Sequence, residues 1–166
     1  MSTQAAAQST QSALWALLID ELIDEASSAE VETARKIMET YFGSDHRLER
    51  KQMSNLVAVA GETGSVPIVE DFVRYQMGRD ERRQTWRAGH PKSLGDMILD
   101  HLHELKNVSA AVVDRAKKRA PGLALPNSDE EVRAQVWSLI TRRFTAYLEH
   151  SYLYHKQTKG ARGGSQ

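Results

Sequence analysis

Apolar residues recur along this chain at steps of three and four, the period of an α-helix, and no stretch shows the alternation of a β-strand. The clearest stripe lies near the C-terminus. Val132, Val136, Ile140, Phe144, Leu148 and Tyr152 repeat every four residues, with Leu139 and Tyr147 beside them. Ser128 and Glu131 form a capping box ahead of that stripe, which predicts a long final helix reaching about Lys156.

Upstream, Leu14, Leu17, Leu18 and Leu22, with Trp15 next to them, predict a first helix. Ser27 and Glu30 read as a capping box opening a second, which ends near Gly43 with Ile37, Met38, Tyr41 and Phe42 inward. A third runs from about Leu48 to Ala60 on Met53, Leu56, Val57 and Ala60. Ser65 caps a fourth, with Pro67 in its first turn, where the missing N–H costs nothing. A basic loop over 79–92 follows, then a fifth helix over 93–105 on Leu94, Ile98, Leu102 and Leu105. VSAAVVDRAKKRA predicts a short sixth helix whose Lys117, Lys118 and Arg119 favour its C-terminal dipole, and PGLALP breaks the chain after it. The pattern therefore predicts an all-α, single-domain bundle of about six to seven helices over residues 12–158. Tails at 1–11 and 159–166 carry no large apolar residue and are expected to be disordered.

Composition changes this picture only slightly. A chain of 166 residues suits one domain with a real core. It has no cysteine, which excludes disulfides and thiolate metal sites and fits a reducing cytoplasm. The first 25 residues lack a basic leader region, and Asp20 interrupts their apolar run, so neither a signal peptide nor a membrane span is expected.

Charge matters more. The 22 basic and 22 acidic residues cancel in total, but residues 1–32 hold Asp20, Glu21, Asp24, Glu25, Glu30 and Glu32 and no Lys or Arg. A basic body thus stands behind an acidic first helix, an asymmetry that suggests an anionic partner for the body. FVRYQMGRDERRQTWR concentrates the basic residues: Arg74, Arg79, Arg82, Arg83 and Arg87 exceed what Asp80 and Glu81 can pair. Guanidinium forks suit phosphate oxygens, and Tyr75 or Trp86, if exposed, would stack on unpaired bases. Alternatively, both aromatics anchor the loop and the arginines are a solvated surface.

Catalytic signatures are weak. Asp96, Asp100 and His103, near His101 and Glu104, could share one helix face as metal ligands, but no second cluster completes a site. Arg143-FTAYLE-His150 and Arg83-QTWRAG-His90 match the longest Arg–His spacing of HEPN-type helical ribonucleases. In a chain so rich in Arg, two matches are a chance-level count. No phosphate-binding glycine loop with Lys-Ser/Thr and no nucleophile elbow occurs. No enzyme, cofactor or metal is expected.

LERKQMSNLVAV followed by VEDFVRYQMGRD, and the closing FTAYLEHSYLYHKQTKG, resemble the small α-helical subunit of type III (Csm-type) CRISPR effector complexes. The resemblance covers roughly residues 29–160. Ser54 departs from it, standing where that family tends to carry a basic residue. It implies a non-catalytic, sequence-indifferent RNA-binding module of a cytoplasmic antiviral ribonucleoprotein. Copies would stack head to tail, line the groove for guide RNA and target RNA, and touch the backbone subunit and the large polymerase-like subunit. Matched position by position, the resemblance points to Lys51, Gln52, Arg74, Arg79, His155 and Lys156 as RNA contacts. Arg82, Arg83, Arg142 and Arg143 join them on charge alone. A HEPN-like ribonuclease and a protein–protein adaptor docking through its acidic first helix are the alternatives.

Overall fold

A computed structural model describes residues 2–43 and 47–163, with side chains from 6 to 158. The described residues form an all-α bundle of five helices: α1 (Ser2–Phe42), α2 (Arg50–Glu62), α3 (Val66–Arg79), α4 (Leu94–Arg119) and α5 (Asp129–Gly163). The long C-terminal helix α5 touches each of the other four. On it, α1 meets α4, α3 meets α4, and α2 meets α3. The six inward residues predicted for α5, from Val132 to Tyr152, are all buried, as are Leu94, Ile98, Leu102 and Leu105 of α4. Ser128 and Glu131 form the expected reciprocal cap: the Glu131 N–H donates to Ser128 Oγ (3.3 Å), and the Ser128 N–H donates to Glu131 Oε2 (3.1 Å).

The count of six to seven is corrected to five because two expected breaks do not occur. Ser27 caps nothing; its hydroxyl donates to the Ile23 carbonyl at 2.9 Å within an unbroken α1. Beyond it, Glu30 takes a place on the buried stripe that continues through Ala34, Ile37, Met38 and Tyr41. Likewise, α4 runs through Lys106 and Asn107, since Leu105, Ser109, Val112, Val113 and Ala116 extend one inward face and neither Gly nor Pro intervenes. The phase of α1 is also corrected: Leu14 and Leu17 are exposed, while Trp15, Ile19, Leu22 and Ile23 face the core. Helix extends over 2–11 and 159–163 of the expected tails; residues 1 and 164–166 lie outside the described residues. Among the described residues no helix is long and apolar enough to cross a membrane.

Two interruptions of apolar stripes meet in the core. Glu30 on α1 and His101 on α4 are both buried, with His101 Nε2 2.5 Å from Glu30 Oε2 and Nδ1 3.1 Å from Glu104 Oε2. The Asp96, Asp100 and His103 group considered as metal ligands does not assemble. Asp96 accepts from the Ser93 hydroxyl, and Asp100 pairs with Lys92. Among the described residues no group of His, Asp or Glu could hold a metal ion.

Burial lowers the pKa of His101, but the hydrogen bond and charge of Glu30, then those of Glu104, outweigh it and raise the value above the ordinary 6.5. The folded protein therefore holds this proton more tightly than the unfolded chain. The stability so gained is complete below pH 6.5 and is lost as pH rises through the folded value. Denaturant titrations across neutral pH should show stability falling as pH rises, by at most roughly 1.4 kcal/mol per pH unit from this group. The His101→Gln variant should lose that component; an unchanged slope in the variant would assign it to another group.

Candidate nucleic-acid interface

The segment between α3 and α4 is shaped by one buried carboxylate. Asp80 accepts N–H groups from Gln84 (3.1 Å), Thr85 (2.9 Å) and Arg87 (2.8 Å), folding the chain back over the end of α3. Burial raises its pKa, but the backbone donors Arg87, Thr85 and Gln84 more than compensate, so the net shift is downward and the charge is retained. Arg83 takes a left-handed conformation (φ 52°) within this turn. Gly89 (φ 121°) lies where an added Cβ would sit 2.5 Å from the Lys92 carbonyl oxygen. Trp86 is buried edge-on against Phe72, with ring centroids 6.2 Å apart, and pins the loop to the core. It is an anchor, not an exposed stacking platform. The helix continues through Gly78, and the turn is made beyond it by Asp80.

The folded-back loop faces the first turn of α2 across a cleft of about 720 Å³. Arg47, Lys51, Arg79 and Arg82 line it, together with Gln52, Asn55 and Gln76. Glu49, Asp80 and Glu81 also reach its wall. The Asp80 carboxylate, however, is committed to backbone donors, and no carboxylate pairs with any of the four cations among the described residues. Gln52 does local work as well, its Oε1 accepting the Glu49 N–H at 2.9 Å to cap α2.

This shortage of counter-charge is concentrated in one region. Arg47, Arg50, Lys51, Arg79, Arg82, Arg83 and Arg87 all lack an acidic partner among the described residues. Elsewhere most basic residues are neutralised. Arg115 and Arg119 pair with Glu25, Arg119 also with Glu21, and Lys117 with Asp129. Arg133 meets Asp114 and Asp129. The acidic N-terminal helix is thus neutralised largely by the body of its own chain.

Of the other anticipated contacts, Arg143 is held by Asp20 and Asp24 of α1. Arg142 donates to the Ala60 and Thr63 carbonyls at 3.0 and 3.2 Å, closing the end of α2. Both have partners inside the protein and lie outside the cleft. Arg74 pairs with Glu70 (3.6 Å) and lines a separate hollow with Lys92, Asp100 and His103. Five residues place Arg74 and Arg79 roughly 140° apart around α3, so they do not share a face. Arg83 is exposed outside the cleft wall. His155 stacks on Phe42 at 5.4 Å, and Lys156 Nζ lies 3.2 Å from the Tyr152 hydroxyl. Ser54 hydrogen-bonds Glu149 on α5 (2.5 Å) rather than facing the cleft.

Lys51, Gln52, Arg79 and Arg82 are therefore the anticipated residues that the fold gathers. Arg47 was missed, although the basic run Arg47, Arg50, Lys51 offered the signal. Compared with known protein families, with curated proteins and with solved structures, the chain matches none.

Proposed function

We propose that this chain is a non-catalytic RNA-binding small subunit of a type III CRISPR effector complex, working in the cytoplasm in antiviral defence. It would line the groove for guide and target RNA by sequence-independent backbone contacts, in copies stacked head to tail beside the backbone and large polymerase-like subunits. One observation carries the RNA-binding part: cations without counter-charge concentrate around a single cleft while most others are paired. Phosphates supply the missing negative charge at each position. The resemblance of the 48–59, 69–80 and 144–160 stretches carries the assignment to that complex.

The purified protein should bind unrelated single-stranded RNAs with similar affinity, and that affinity should fall with salt. Four phosphate contacts at ~0.7 each give a log–log slope of roughly −3. A slope near zero, or no binding at low salt, would defeat the proposal. The protein alone should leave RNA intact with or without divalent metal. With Arg143 held by two aspartates, the Arg143–His150 pair has no free guanidinium to offer a ribonuclease mechanism. Reproducible cleavage abolished by His150→Ala would overturn the non-enzymatic assignment.

A further inference from the structure

Phosphate contacts alone do not distinguish a single strand from a duplex. The cleft has a second feature that does. Tyr75 stands one turn before Arg79 on α3 and is 57% exposed, the one aromatic so exposed beside the cleft among the described residues. Arg79 links it to the cleft. Its guanidinium carbon lies 5.4 Å from the Tyr75 ring centroid and its Nη1 is 3.5 Å from the Tyr75 hydroxyl, while Arg79 itself forms part of the cleft wall. A large aromatic surface is thus held in water next to cations that have no acidic partner among the described residues.

We infer that the cleft takes single-stranded RNA in preference to duplex, with a phosphate between Arg47, Lys51 and Arg82 and an adjacent unpaired base on the Tyr75–Arg79 platform. This rests on the RNA-binding reading above. An A-form duplex keeps its bases stacked inside and offers the protein only phosphates and its shallow groove. A single strand can lower one phosphate into a cleft of about 720 Å³ and turn the neighbouring base onto the ring. Any base has a π-face, so the platform adds strand preference without adding sequence preference.

The test uses the full chain and a labelled, non-self-pairing RNA of roughly ten nucleotides, alone and annealed to its complement. Wild type should bind the single strand more tightly. Tyr75→Ala should weaken single-strand binding about tenfold and leave duplex binding unchanged. Tyr75→Phe, which keeps the ring and loses only the long contact to Arg79, should stay within about twofold of wild type. Because Tyr75 is exposed, the variants should melt with wild type, and this is checked alongside. Equal or tighter duplex binding by wild type, or a Tyr75→Ala effect that is absent or the same for both RNAs, would overturn the inference while leaving backbone binding intact. Failure of wild type to bind either RNA at low salt would overturn both.

Discussion

Replacing Phe144 by Ala should cost about 3–5 kcal/mol of folding stability, read from the urea midpoint at unchanged slope. The ring is fully buried on α5 between Ile140 and Leu148. It also lies against the His101 ring, with centroids 4.5 Å apart and planes at 54°. His101 in turn reaches Glu30 on α1, so Phe144 covers the point where α1, α4 and α5 converge on a buried ion pair. Truncation removes apolar contact and leaves a void that the three rigid helices cannot fill by collapsing. It also opens space beside two groups whose pairing depends on exclusion of water. The Phe144→Leu variant separates these effects: it restores much of the volume without the aromatic face and should lose less than half as much. A loss below about 1 kcal/mol in Phe144→Ala would mean that the core relaxes around the deletion.

What could be read from the sequence depended on how far a pattern ran without ambiguity. The α5 stripe spans 21 residues, from Val132 to Tyr152, in strict steps of four, and both its extent and its inward face are as expected. In α1, by contrast, LWALLI offers five apolar residues in a row with one Ala, so several phases fit equally well. The phase is fixed only by continuity with Ile37, Met38 and Tyr41 further along the same helix. A helix break at Ser27 removes that constraint and turns the stripe toward Leu14 and Leu17. A Ser-x-x-Glu pattern signals a helix start only where the chain breaks. Here Glu30 was needed inside, opposite a histidine 71 residues away, and no local spacing reports such a partner.

The same limit governed the site. The arginine cluster was visible, as was its excess over nearby acids. Asp80, read as a partial counter-charge, instead folds the loop, and so increases the excess rather than reducing it. Arg142 and Arg143 looked equivalent to the loop arginines because their partners, at Ala60, Thr63, Asp20 and Asp24, are distant in sequence. Charge counts locate a basic segment; only the fold tells which of its members are already occupied.

That distinction sets up the largest binding effect. Replacing Arg47, Lys51 and Arg82 together by Ala should weaken single-stranded RNA binding by about a hundredfold at ~0.1 M salt, since each lost phosphate contact removes ~0.7 from the log–log slope. The slope should flatten by about 2, equally for unrelated sequences. Arg79 is left in place so that the Tyr75 platform is undisturbed. The control removes the same charge from Lys117, Lys118 and Arg119. Lys117 is paired with Asp129, and Arg119 with Glu21 and Glu25, so their charge is largely spent within the protein. This control should keep its RNA affinity within a fewfold of wild type, and its cost should appear instead as a small drop in melting temperature from unpairing α1. The cleft variant should show the opposite profile, losing affinity with its melting temperature nearly unchanged, because its three cations have no acidic partner among the described residues. Equal loss of affinity in the two variants would make binding a property of total charge rather than of the cleft. Retention of affinity in the cleft variant would move the RNA contact to another surface. Only the crossed result, affinity lost in one variant and melting temperature in the other, assigns the RNA backbone to unpaired cations at the cleft.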